Sequence, residues 1–160
     1  MRIGKKASGV HSISYPEALE VALCYGWIDG QKQSNGEQTW LQKFTPRSKK
    51  SIWSKINREK ALALIESGRM APAGLEEIDR AKKDGRWDAA YDSQSKAGVP
   101  PDLQAALDAN PRARSFFAGL NSQNRYAVLF RIHAAKKPET RARRIQQFVE
   151  MLERQEKLHP

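Results

Sequence analysis

Cysteine is nearly absent from this chain: Cys24 stands alone, so no internal disulfide can close. Histidine is scarce too, and His11, His133 and His159 are too scattered to make a zinc motif. No apolar run approaches the roughly 20 residues that a membrane-crossing helix needs. The start, Met1-Arg2-Ile3-Gly4-Lys5-Lys6, carries charge without the apolar stretch of an export signal. Nucleophile elbows, dinucleotide fingerprints and glycine-rich phosphate loops are missing as well, so a small-molecule hydrolase or transferase ranks behind a binding role. Together these gaps point to a reduced, cytoplasmic protein that needs no cofactor or metal and folds on its own core.

What is abundant is positive charge. The 160 residues carry 28 Lys and Arg against 18 Asp and Glu, a formal charge of +10. Such a balance favours an anionic partner: an acidic protein surface, a phosphate group, anionic lipid or nucleic acid. It disfavours direct capture of a cationic peptide.

Along the chain, Ser14-Tyr15-Pro16-Glu17 has the spacing of a capping box, and the helix it opens keeps its period to Gly26. Two strand-like stretches, 27–33 and 37–44, flank Ser34-Asn35-Gly36, which predicts a β-hairpin. Further on, Ser54 caps a helix that stops at Gly68, and Pro72 opens another that runs to Asp84-Gly85. Helices are then expected over 101–109, 111–120, 123–135 and 138 to about 157. The fold class is therefore α+β, mostly helical, with a small antiparallel hairpin or sheet in the N-terminal half. The expected division is 1–92, a polar linker over 93–100, and a helical subdomain over 101–160.

Two helix starts run against the macrodipole, which favours acidic residues there. One gathers Arg47, Lys49, Lys50, Ser54, Asn57 and Arg58; the other gathers Lys136, Lys137, Arg141 and Arg144, with Glu139 the only opposing charge. Cations concentrated where amides are free make both stretches candidate sites for an anion or an acidic partner. Arg141 also falls on the apolar arc of Ile145, Phe148 and Leu152, while Arg143 points away, so Arg141 is expected to be partly buried and paired. Tyr25, Trp27, Asp29, Phe44 and Trp53 form a further candidate, an aromatic pocket with one carboxylate, although core packing explains the same residues. Arg58 could stack on one of the tryptophans. Tyr126, Leu129, Phe130 and His133 share core spacing, which predicts a packed His133.

The stretches Leu23-Cys24-Tyr25-Gly26-Trp27-Ile28-Asp29-Gly30-Gln31, Trp40 to Arg47, Trp53 to Arg58, Lys82 to Asp88 and Ala135 to Ile145 resemble the YdeI/OmpD-associated family, bacterial proteins linked to protection against bacteriocins and cationic antimicrobial peptides. The resemblance implies a stress-associated binding or adaptor protein and an association with an outer-membrane protein. Members often have Thr where this chain has Ala71, so the cap of the helix at Pro72 is expected to be weak. They also carry an upstream helix and strand start, so the hairpin edge here is expected to be exposed and to favour a homodimer.

Overall fold

The computed structural model describes residues 1–160, which divide into two compact units, Met1–Ala90 and Tyr91–Pro160. The class is α+β. The first unit contains β1 (Arg2–Gly4), α1 (Tyr15–Cys24), β2 (Trp27–Asn35), β3 (Thr39–Pro46), α2 (Lys55–Glu66) and α3 (Pro72–Lys83). The second is helical throughout: α4 (Pro101–Asp108), α5 (Pro111–Ala118), α6 (Ser122–His133) and α7 (Pro138–Glu153).

The capping box of α1 is complete, with Ser14 accepting from the Glu17 amide and the Glu17 carboxylate accepting from the Ser14 amide. The three strands form an antiparallel sheet in the order β1-β3-β2. The hairpin turn is one step later than Asn-Gly suggests: Asn35 still pairs with Thr39, and Gly36 alone takes a positive φ. The reason is local. Asn35 Nδ2 donates to the Thr39 hydroxyl, which in turn donates to the Asn35 carbonyl, so Asn35 is held in the ladder. β1 covers β3 from Thr39 to Leu41, while β2 is an edge strand whose far half, Gln31–Asn35, is exposed.

The helices close over the sheet around Leu19, Leu23, Trp53, Leu64, Ile78 and Trp87. Trp53 and Trp87 meet edge to face with centroids 4.9 Å apart. α3 begins at Ala71 with no side-chain cap, as its sequence predicts, and docks closely on the end of α1 through Gly74. All four tryptophans, Trp27, Trp40, Trp53 and Trp87, belong to this unit. So do all the large apolar side chains that stay exposed, among them Val21, Tyr25, Ile56, Leu62 and Leu75.

In the second unit α4, α5 and α7 open on Pro101, Pro111 and Pro138, where the missing N–H costs nothing. Asn110 and Asn121 cap α5 and α6 by accepting from the amides of Ala113 and Asn124. The core is Leu103, Leu107, Phe117, Val128, Ile132, Ile145 and Leu152. Ala97 and Val99, from the polar stretch before α4, pack against it.

α7 stops at Glu153, short of the expected 157, because the tail turns back. Gln155 takes a φ of 59°, and the amides of Leu158 and His159 donate to Asn124 Oδ1 at 3.1 and 2.9 Å. Asn124 Nδ2 completes the clamp on the His159 carbonyl at 3.2 Å. This amide is buried and fully bonded, which explains a polar residue on the inner face of α6.

Candidate functional site

The structure places the two cationic clusters differently. At the start of α2, the Ser54 hydroxyl accepts from the Asn57 amide at 3.1 Å, and Asn57 is half-buried. Arg47 is buried, with its guanidinium 3.6 Å from the centroid of the Trp53 ring and Nη1 donating to the Ile52 carbonyl at 3.2 Å. The arginine that stacks on a tryptophan is thus Arg47, while Arg58 donates to the Trp87 carbonyl. Arg86 supports the same loop, donating to the Ser51 carbonyl at 2.8 Å. Interior scaffolding therefore uses the arginines here, and Lys49 and Lys50 are the cations that face solvent.

The start of α7 is more open. Its N-cap is Lys137, which supplies no acceptor to the first-turn amides, and Lys136 and Lys137 are both exposed. Arg144 is engaged with the Arg131 carbonyl. Arg141 is partly buried, as its position on the apolar arc predicts, and Arg143 is exposed. Arg141 Nε and Nη2 grip the two oxygens of Asp102, Nη2 at 2.8 Å from Oδ1, while Nη1 donates to the Ile132 carbonyl at 3.2 Å. This fork joins α4, α6 and α7.

The Arg141 hydrogen bond holds the Asp102 carboxyl below its ordinary value. A depressed carboxylate stabilises the fold at pH above the unfolded value, and that contribution is lost as pH falls through the lower folded one. Arg141→Ala should lower Tm more than Arg143→Ala, and its Tm deficit should shrink between about pH 5 and about pH 2. A deficit that stays constant with pH would exclude the ion pair as its source.

The aromatic set is dispersed. Trp53 is 1% exposed and belongs to the core, Phe44 packs against that core, and Tyr25 is 58% exposed. Trp27 is also exposed, and Asp29 accepts from the Tyr15 hydroxyl at 2.8 Å. Burial raises the pKa of the Cys24 thiol, which makes it a poor nucleophile. No three of the His, Cys, Asp and Glu side chains converge on a metal-sized gap.

A cavity of about 180 Å³ in the second unit gathers residues outside those candidate sites, Tyr91, Gly98, Tyr126, Phe130 and His133, beside the candidate Arg141. Tyr126 donates to the Asp92 carbonyl at 3.0 Å, and burial with nearby Tyr91 and Asp92 pushes its phenol pKa up. The face of α6 that sequence spacing assigns to the core is therefore split. Leu129 is buried, Tyr126 and Phe130 are half-buried, and His133 is exposed instead of packed. The signal lay in residue type, because that face offers three rings, two of them polar in Tyr126 and His133, where a closed core takes Leu or Ile.

Residues 96–155 match the family model described as bacteriocin-protection, YdeI or OmpD-associated. The motifs between Leu23 and Arg58 fall instead under a separate model, a domain of unknown function (DUF8412), over residues 1–77. No curated protein and no solved structure matches the chain. The open start of α7, the Arg141–Asp102 fork and the lining of the cavity from Ala97 onward all lie within 96–155. Over those residues, and not over the rest of the chain, the protein is similar to the bacteriocin-protection, YdeI or OmpD-associated family.

Proposed function

We propose that the chain is a cytoplasmic binding or adaptor protein whose second unit docks an acidic partner at the start of α7. The observation that carries this reading is the exposed pair Lys136 and Lys137 ahead of a helix whose N-cap gives its amides no side-chain acceptor. In α2, α5 and α6 that acceptor is supplied by Ser54, Asn110 and Asn121. Arg141 and Arg144, tied to Asp102 and to the Arg131 carbonyl, brace the site rather than touch the partner. The family description ties relatives to bacteriocin protection. With a charge of +10, this chain serves such a role best through an acidic protein partner, since like charge opposes holding a cationic peptide itself.

Fluorescence anisotropy with a labelled Glu-rich peptide tests the reading. The double change Lys136→Glu/Lys137→Glu should weaken binding about tenfold or more, and Lys49→Glu/Lys50→Glu much less. Equal losses would mean diffuse charge and no site. Nucleic-acid binding is the alternative outcome: a labelled single-stranded oligonucleotide would then bind more tightly than the peptide, with affinity falling steeply and linearly in log salt.

A further inference from the structure

Seven of the ten glycines of this chain have a plain reason in backbone or packing. Gly9, Gly26, Gly36, Gly68 and Gly85 have φ values between 68° and 75°, where a side chain is strained. Gly4 and Gly74 lie where a Cβ would collide with a carbonyl oxygen, whereas at Gly30 and Gly119 the nearest atoms, at 3.7 Å, leave room for one. Gly98 has neither reason: its backbone is one any residue adopts, and a Cβ there would meet nothing within 4 Å. Yet Gly98 lines the cavity of the second unit. A glycine that neither the backbone nor packing requires, at the wall of a cavity, leaves space open.

We propose that this cavity is a binding site for a small, uncharged, planar ring carrying a carbonyl acceptor. Its volume of about 180 Å³ is below the usual range for drug-sized ligands and suits a single ring. One wall is aromatic: Phe130 meets Tyr91 edge to face at 5.1 Å and lies tilted against Tyr126 at 5.8 Å, so three neighbouring rings line it. Ala97, Gly98 and Pro100 complete the lining without filling it.

The polar groups select against charge. Arg141 spends three of its five N–H donors on Asp102 and the Ile132 carbonyl, leaving one on each terminal nitrogen. Its charge is already matched by Asp102, so an anion gains little attraction and stands near that carboxylate. A neutral carbonyl can still accept from the remaining donors. The Tyr126 oxygen, whose proton goes to the Asp92 carbonyl, keeps lone pairs for a ligand N–H.

Nicotinamide has this chemistry and serves as the probe. Titrated into the full nitrogen-15-labelled chain, it should produce saturable amide shifts at Gly98, Tyr126 and His133 with a Kd of about millimolar, the range of a fragment. Nicotinate, the anion of the same shape, and cyclohexanecarboxamide, the non-planar analogue, should each bind several-fold more weakly. Gly98→Leu should abolish the shifts and keep the wild-type Tm, because the position is unstrained and unobstructed. Phe130→Leu keeps apolar bulk but deletes the central ring, and should weaken binding several-fold. The proposal is overturned if nicotinamide gives no saturable shift, if Gly98→Leu binds like the wild type, or if nicotinate binds as well or better. It is equally overturned if Phe130→Leu or the non-planar analogue makes no difference.

Discussion

Arg86→Ala should destabilise the first unit by about 3–5 kcal/mol, the cost of leaving one member of a buried ion pair alone. Arg86 is 5% exposed and Glu77 3%, with Nη1 donating to Glu77 Oε1 at 3.2 Å. Nε also donates to both oxygens of Asp84, at 2.9 and 2.8 Å. Without the guanidinium, the Glu77 carboxylate keeps only Arg80, which is about half exposed, and the Ser51 carbonyl loses its donor. The pair itself is not an optimum, because Arg86 Nη2 has no hydrogen-bond partner in the protein. Apolar replacement on both sides should therefore recover much of the loss, and Glu77→Leu/Arg86→Met should unfold nearer the wild type than Arg86→Ala does. Urea midpoints followed by tryptophan fluorescence measure the difference. A loss within about 0.5 kcal/mol for Arg86→Ala would place the pair in effective contact with water.

Gly74→Ala should destabilise by about 1–3 kcal/mol, although alanine is the better helix former by about 1 kcal/mol. Gly74 lies inside α3, and a methyl there would overlap both the Cys24 carbonyl oxygen and the Met70 sulfur. The sulfur can swing away. The carbonyl cannot, since it belongs to the end of α1 and accepts from the Ala71 amide at 3.2 Å. The two helices must separate or tilt, and overpacking then outweighs propensity. Gly98→Ala is the contrasting change, with an unobstructed Cβ and an expected shift within about 0.5 kcal/mol. If Gly74→Ala were the more stable protein, the close approach of α1 and α3 would have to relax at no cost.

What could be read in advance was local. The capping box at Ser14 and Glu17, the prolines that open α3, α4, α5 and α7, and the arc containing Arg141 each depend on residues within a turn or two. The fork from Arg141 to Asp102 follows in kind, since a guanidinium on an apolar arc must find a carboxylate, but its partner lies 39 residues away and no spacing names it. The same limit hid the end of α7, set by Asn124 from 34 residues upstream. Arg47 shows a different gap. Beside Lys49 and Lys50 it looks like surface charge, and only the fold places its guanidinium over the Trp53 ring. The cavity was missed because periodicity tells which way a side chain points and not whether another fills the space in front of it. Tyr126 and Phe130 point inward, and Gly98 leaves that space empty.

The confinement of all four tryptophans to Met1–Ala90 gives this chain a built-in spectroscopic divide. Indole emission reports one unit alone, with Trp53 and Trp87 at its centre, while the helices of Tyr91–Pro160 are silent there and contribute to far-ultraviolet circular dichroism. Coincident melting curves from the two signals would mean a single cooperative transition; separate curves would mean that each unit carries its own stability and could be lost without the other. A ligand seated at Tyr126 and Phe130 would then raise the dichroism midpoint and leave the fluorescence midpoint where it was.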